Sequence, residues 1–206
     1  MRSRRRSRAS GLGPGEGPAA LPLLSYAADK NTEWSPRERV TWWDRLSYVG
    51  SDPYYELATE VDPSTAALER AWADATAGLW GEVRRYGTPL LIHEIGFRSY
   101  DGSNIAPGEW QTDGPQTWPQ NDGLQARLFA TLFTEFCPRA PSEFAGLFIQ
   151  GLESSTYKAT GYELEGKPAL ETIAMSAWGG VATWDECRPG VREVLERCLV
   201  VPREAE

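Results

Sequence analysis

One histidine, His93, and three cysteines are the only imidazole and thiol ligands that 206 residues provide. Cys137, Cys187 and Cys198 show no C-x-x-C spacing, which indicates neither a zinc site nor a disulfide framework, so reduced, packed cysteines are expected. No metal and no cofactor are expected. No stretch approaches the ~20 apolar residues of a membrane helix, and the arginine-rich start lacks the apolar core of a secretory signal. The reading is a soluble chain without a membrane partner, cytoplasmic by default. Positive charge is scarce outside the head: Arg2, Arg4, Arg5, Arg6 and Arg8 stand there without an acid. Setting those five against a net charge of -8 leaves -13 on the rest, a body that repels nucleic acid.

What is present is core material. The chain is 41% hydrophobic, with nine tryptophans, eight tyrosines and six phenylalanines, enough for one globular domain. Residues 1–20, rich in Arg, Ser, Gly and Pro, read as a disordered basic head. A transit peptide or a basic arm is the alternative. Residues 21–182 read as the folded body and 183–206 as a C-terminal helix and tail, with Val191, Val194, Leu195 and Cys198 on the inner side of a helix from Pro189 to Val200.

Within the body, Leu21 to Ala27 reads as a short buried strand. Ser35-Pro36-Arg37-Glu38 has the form of a capping box opening a short helix through Trp42, Trp43 and Leu46. Leu46 to Tyr54 reads as a second strand, with Asp52-Pro53-Tyr54 at its rim. Leu68, Trp72, Ala75, Leu79, Val83 and Tyr86 recur at helical steps between Ser64 and a C-capping Gly87. Asn121 caps a further helix through Leu124, Leu128, Leu132, Phe133 and Phe136. Phe144 to Gln150 is a fourth strand and Lys167 to Trp178 a crossover-type helix. Strand and helix thus alternate four times, which implies an α/β fold with a parallel sheet: four βα units, a partial TIM-type barrel.

The third strand carries the chemistry. Thr88-Pro89-Leu90-Leu91-Ile92-His93-Glu94-Ile95-Gly96 runs apolar into a carboxylate, then into a long polar loop. That is the pattern of a buried parallel strand delivering an acid to a site at its C-terminal end. Strict alternation puts Glu94 on one face with Leu90 and Ile92, and turns His93 toward the helix layer with Leu91 and Ile95. Glu94 reads as functional rather than as half of a structural ion pair, and His93 as a hydrogen-bonded core residue. The loop from Phe97 to Gln120 is long enough to wall a site.

Tyr26-Ala27-Ala28-Asp29, the run Trp42-Trp43-Asp44-Arg45-Leu46-Ser47-Tyr48-Val49-Gly50-Ser51-Asp52-Pro53-Tyr54-Tyr55, and Glu94-Ile95-Gly96-Phe97-Arg98-Ser99 together resemble strands five to seven of the β-mannanase-like glycoside hydrolases of family 113. Gly166-Lys167-Pro168-Ala169 resembles the start of that barrel's last helix, so the resemblance spans about Leu21 to Trp178. It implies the C-terminal half of a retaining (β/α) barrel glycosidase. Glu94 then stands where the family's nucleophile stands, and Tyr54 matches a tyrosine that bonds to it. A retaining enzyme also needs a second carboxyl ~5 to 5.5 Å away as acid/base. The family carries it on a Glu after strand four, and no Asn-Glu pair occurs in this chain. Spacing does not distinguish Glu33, Glu56, Glu109 or Glu153 for that role. Phe148-Ile149-Gln150-Gly151 also stands where such barrels usually carry a tryptophan beneath the sugar.

Trp34, Trp110 and Trp118 fall in loops where an aromatic face can stack on a sugar, while Trp42, Trp43 and Trp72 are assigned to the core. Asp52 and Arg98 complete the substrate-binding candidates. Asp52 is favoured as a loop-ordering residue, and Arg98 as a partner of Asp101. The expected partner is an oligo- or polysaccharide of the β-mannan type, with weak or no hydrolysis by this chain alone. A non-catalytic carbohydrate-binding or degenerate barrel is the alternative. The open edges of half a barrel imply a partner half-barrel or self-association.

Overall fold

The computed structural model describes residues 23–29, 40–108, 118–151 and 161–178. Four parallel strands, β1 (Ala27–Asp29), β2 (Val49–Asp52), β3 (Leu90–Ile95) and β4 (Phe144–Ile149), form one sheet in the order β1-β2-β3-β4. Helices α1 (Thr65–Tyr86), α2 (Asp122–Phe136) and α3 (Pro168–Trp178) connect and follow them. This is an α/β partial barrel in which sequence order equals spatial order.

The helices begin and end where side chains satisfy the free backbone groups. Ser64 accepts the Ala67 N–H at the start of α1, and Gly87 closes it in the left-handed conformation at φ 60°, its N–H on the Val83 carbonyl. Asn121 Oδ1 takes the Leu124 N–H at 2.8 Å and opens α2. Leu68, Trp72, Leu79 and Val83 from α1 and Leu124, Leu128, Leu132 and Phe136 from α2 pack beneath Leu90, Ile92, Ile95, Phe144 and Leu147. Trp72, fully buried, meets Tyr55, Phe97 and Phe136 edge-on at 5.6 to 6.4 Å between ring centroids. Each such pair adds ~0.5–1.5 kcal/mol to the area it buries.

Several boundaries differ from the sequence reading. The first strand is Ala27–Asp29, and residues 23–26 of the apolar run precede it as irregular chain. The second is shortened to Val49–Asp52. The helix expected through Trp42, Trp43 and Leu46 is one 3-10 turn, Trp43–Arg45, because Leu46 is already extended at φ -111°, ψ 161°. Trp43 is buried as expected, but Trp42 is 44% exposed. Cys137 is disulfide-bonded rather than reduced. Residues 1–22, including the basic head, and the helix and tail expected after Trp178 lie outside the described residues.

Alternation along β3 also breaks. Between Ile92 and Ile95 the strand advances three residues while its partner β4 advances two, from Leu147 to Ile149. This bulge lets Ile92 and Ile95 both enter the helix-side core. Glu94 is consequently exposed on the opposite side, not aligned with Leu90 and Ile92. His93 lies on that open side too, with Nε2 2.8 Å from Ser25 Oγ. Gly50 of β2 lies at this bridge: a Cβ there would meet the Tyr26 carbonyl at 2.1 Å and both His93 Nε2 and Ser25 Oγ at 2.8 Å. The missing side chain opens the gap through which β3 and the entry to β1 touch across β2.

Candidate functional site

The C-terminal ends of the strands gather the polar groups. Asp29 of β1 and Asp52 of β2 are register partners, and Glu94 stands near the end of β3. Tyr54, two residues past β2, donates its hydroxyl to Glu94 Oε1 at 2.8 Å, and the Tyr54 hydroxyl oxygen also lies 2.6 Å from Gln150 Oε1 beyond β4. Pro53 is buried at the strand exit, and the chain turns there with the Tyr54 N–H on the Asp52 carbonyl. That turn aims the phenol across β3.

The electrostatics follow from burial and from the clustering of acids. Asp52 is pushed up to about 6 by burial, then by the charges of Glu94 and Asp29, against a stabilising bond from the Glu94 backbone N–H. Its Oδ1 is buried without a hydrogen-bond partner. Burial and the hydrogen bond to Glu94 both hold the Tyr54 phenol well above its usual range, so it remains a proton donor at any working pH. Tyr162, 7% exposed, gives its hydroxyl to the Pro107 carbonyl at 2.6 Å. Burial and the Glu94 charge raise it to about 12, against the opposing effect of Arg98. His93 is lowered by burial.

Lys167 ties the two loops behind this cluster together. Its ammonium reaches Ser99 Oγ at 2.8 Å, Glu163 at 2.9 Å and the Gly161 carbonyl at 3.5 Å. Gln125 of α2 donates to the Phe97 carbonyl at 2.7 Å from below. The loop leaving β3 is thus anchored at Phe97 and Ser99, just past Glu94.

Of the residues singled out from sequence, Glu94, Tyr54 and Asp52 come together. Arg98 is buried, 8% exposed, and acts on Tyr162. The expected Arg98–Asp101 pair does not form among the described residues: Asp101 instead accepts Asn121 Nδ2 at 2.7 Å, because the loop folds back on the start of α2. Trp118 rests on Gly102 of the same loop, where a Cβ would fall 2.1 Å from its ring, and is 44% exposed. Trp34 and Trp110 lie outside the described residues, as do Glu33, Glu109 and Glu153, while Glu56 is exposed. Sequence reasoning did not single out Tyr162 or Ser25 for any role, and it noted Gln150 only as a departure from the usual tryptophan. All three are recruited by tertiary approach, and a Gly-Tyr step in a polar loop was the one available signal for Tyr162.

The described residues hold no group of three or more His, Cys, Asp or Glu arranged to bind a metal, and none of their helices is long and apolar enough to cross a membrane. What the arrangement provides is an exposed carboxylate held by a phenol donor at the open end of a parallel sheet. That suits nucleophilic attack on an electrophilic carbon.

The family model of Glycoside Hydrolase Family 113 matches residues 22–166. No curated protein matches the chain. A solved GH113 β-1,4-mannanase is 25% identical with a TM-score of 0.53, the match covering 71% of this chain and 42% of that one. A complex of a GH113 β-1,4-mannanase is 24% identical, with a TM-score of 0.52 and the same coverages. The GH113 β-mannanase AaManA from Alicyclobacillus acidocaldarius, in complex with ManMIm, is 24% identical with a TM-score of 0.52, over 75% of this chain and 45% of that one. The chain spans less than half the length of these relatives.

Proposed function

The chain belongs to glycoside hydrolase family 113, and from that membership we propose that it is the nucleophile-bearing half of a retaining hydrolase of β-mannan-type polysaccharide. Glu94 is the nucleophile in this reading. The observation that carries it is the 2.8 Å bond from the Tyr54 hydroxyl to Glu94 Oε1. A retaining reaction starts with an ionised carboxylate attacking the anomeric carbon, forming a glycosyl ester as the aglycone departs. A phenol that stays protonated can hold that carboxylate in place by donating a hydrogen bond without giving up its own proton.

The departing oxygen needs a proton from a second carboxyl. Asp52 is half-protonated near pH 6, but its carboxylate is engaged by the backbone N–H of Glu94, on the adjacent strand. That placement suits support of the strand end better than delivery of a proton across a sugar. The acid/base belongs in this reading to the remaining βα units of the barrel, and hydrolysis of mannan by this chain alone is weak or absent.

A substrate whose leaving group needs no proton separates the two halves of the mechanism. Incubation with 2-deoxy-2-fluoro-β-mannosyl fluoride, read by mass spectrometry, should add one fluoromannosyl group to the peptide containing Glu94 and none in Glu94→Gln. No adduct on the unmodified chain, or an adduct elsewhere, sinks the assignment.

The partner of the open side is, in the same reading, a half-barrel that supplies the other strands. Both edge strands, β1 and β4, have one neighbour each among the described residues, and Leu23, Leu24, Tyr26 and Phe148 are 42% to 72% exposed. Light scattering that finds a monodisperse monomer of the purified chain would count against it. The exposed ring of Trp118 favours a second reading, carbohydrate binding without turnover. Calorimetry with manno-oligosaccharides would then show affinity that survives Glu94→Gln and fails in Trp118→Ala.

A further inference from the structure

The Tyr54 hydroxyl has one proton and two close neighbours. Glu94 Oε1 lies at 2.8 Å and the Gln150 side-chain oxygen position at 2.6 Å. If the proton went to Gln150, the phenol would turn lone pairs toward the Glu94 carboxylate with no hydrogen between them. An ionised carboxylate is the stronger acceptor, so the proton goes to Glu94. The carboxamide then satisfies the second contact by turning Nε2 to the phenol oxygen, since its two ends occupy equivalent places.

Gln150 is fixed for this by its backbone. Its N–H bonds the carbonyl of Ile95, the residue next to Glu94, at 2.8 Å. Gly96 leaves room for the approach: a Cβ there would stand 3.0 Å from the Gln150 carbonyl and 3.1 Å from its Cβ. The two chain segments are thus locked together at the point where the side chains meet.

We propose that Gln150 is a positioning residue whose amide donates to the Tyr54 oxygen and thereby directs the single phenol proton to Glu94. The proposal rests on Glu94 being the nucleophile for its functional consequence, and on the Gln150–Tyr54 contact alone for its geometry. A hydroxyl with only Glu94 for company can rotate away; one whose oxygen is already occupied by a donor has its proton left for the carboxylate.

The test has two arms. In the first, the Gln150 side-chain amide resonances are identified by their loss in Gln150→Met, and their hydrogen exchange is followed by NMR. One Nε2 proton should exchange at least tenfold more slowly than those of exposed glutamines, and Tyr54→Phe should abolish that protection. Unchanged exchange in Tyr54→Phe overturns the proposal. In the second arm, the rate of fluoromannosyl labelling should fall about 3- to 10-fold in Gln150→Met, the worth of one hydrogen bond between uncharged groups. In Gln150→Glu, the rate relative to the unmodified chain should fall as pH rises through the carboxyl range. The neutral acid donates as the amide does, and the ionised one competes for the phenol proton. A ratio that stays flat with pH overturns the positioning role and leaves packing. Absence of labelling in the unmodified chain overturns Glu94 as nucleophile, while the exchange arm still decides whether Gln150 donates to Tyr54.

Discussion

The two sides of the same sheet differ in almost every respect. On the helix side, Leu90, Ile92, Ile95, Phe144 and Leu147 are closed over by α1 and α2, and the inter-helix polar group is also held fast. Glu135 there receives Thr76 Oγ1 at 2.9 Å, Trp80 Nε1 at 2.8 Å and Arg139 at 3.0 Å. On the other side, Phe148 is 42% exposed, Glu94 and Gln150 are exposed, and Asp52 keeps a buried oxygen without a partner. One side is closed into the core, and the other holds the polar cluster proposed as the site. The division is expected of a strand set whose inner face belongs to a larger enclosure.

That contrast can be pressed by substitutions in order of expected effect. Trp72→Ala, on the closed side, should cost ~3–5 kcal/mol in urea unfolding, since the ring is fully buried among three others. Gly50→Ala should cost ~1–3 kcal/mol by the same measurement, because its Cβ has no room beside the Tyr26 carbonyl. A loss as large as that of Trp72→Ala would mean that the open side bears more of the stability than its exposure suggests.

Asp52→Asn should do the opposite of a core substitution. The carboxyl titrates near 3.8 when unfolded and about 6 when folded, so the unfolded chain gives up its proton first. Folding stability held by the neutral form is therefore present below pH 4 and lost as pH rises through 6. The amide should be ~1 kcal/mol more stable than Asp52 at pH 7, after discounting for half-exposure, and no different at pH 4. Thermal melts at the two pH values check the sign. Phe148→Gln should be smallest, within ~0.5 kcal/mol, while lowering self-association in light scattering. A large destabilisation by Phe148→Gln would erase the distinction between the two sides.

The closed side was the legible one. The caps Gly87 and Asn121, the helical repeat from Leu68 to Val83 and the order of four strands all follow from local rules, because amphipathic helices over a parallel sheet obey a period. The short strand β1 was misplaced because Leu21 to Ala27 is apolar enough to pass for a strand, while among the described residues of that run only Ala27 joins the sheet. The orientation of Glu94 escaped alternation because one bulge, made with a neighbour more than fifty residues away in sequence, resets the count after Ile92. His93 does alternate with Ile92, but the face shared by Leu90 and Ile92 is the helix side, the reverse of the sequence reading. Glu94 and Tyr54 were legible through their resemblance to a known pattern. Gln150 was legible as the end of the fourth strand but not as a partner of Tyr54, a contact made across two strands, and Tyr162 joins the cluster through a later loop whose Gly-Tyr step is a weak signal.

The gap at Gly50 has a practical sequel. It brings the chain's single imidazole against Ser25, at the entrance to a three-residue edge strand. A protein with one histidine shows one pair of imidazole carbon-bound proton signals. Those two lines, without isotopes or assignment, would report whether the first strand is seated, and how its seating responds to the half-barrel proposed as its partner.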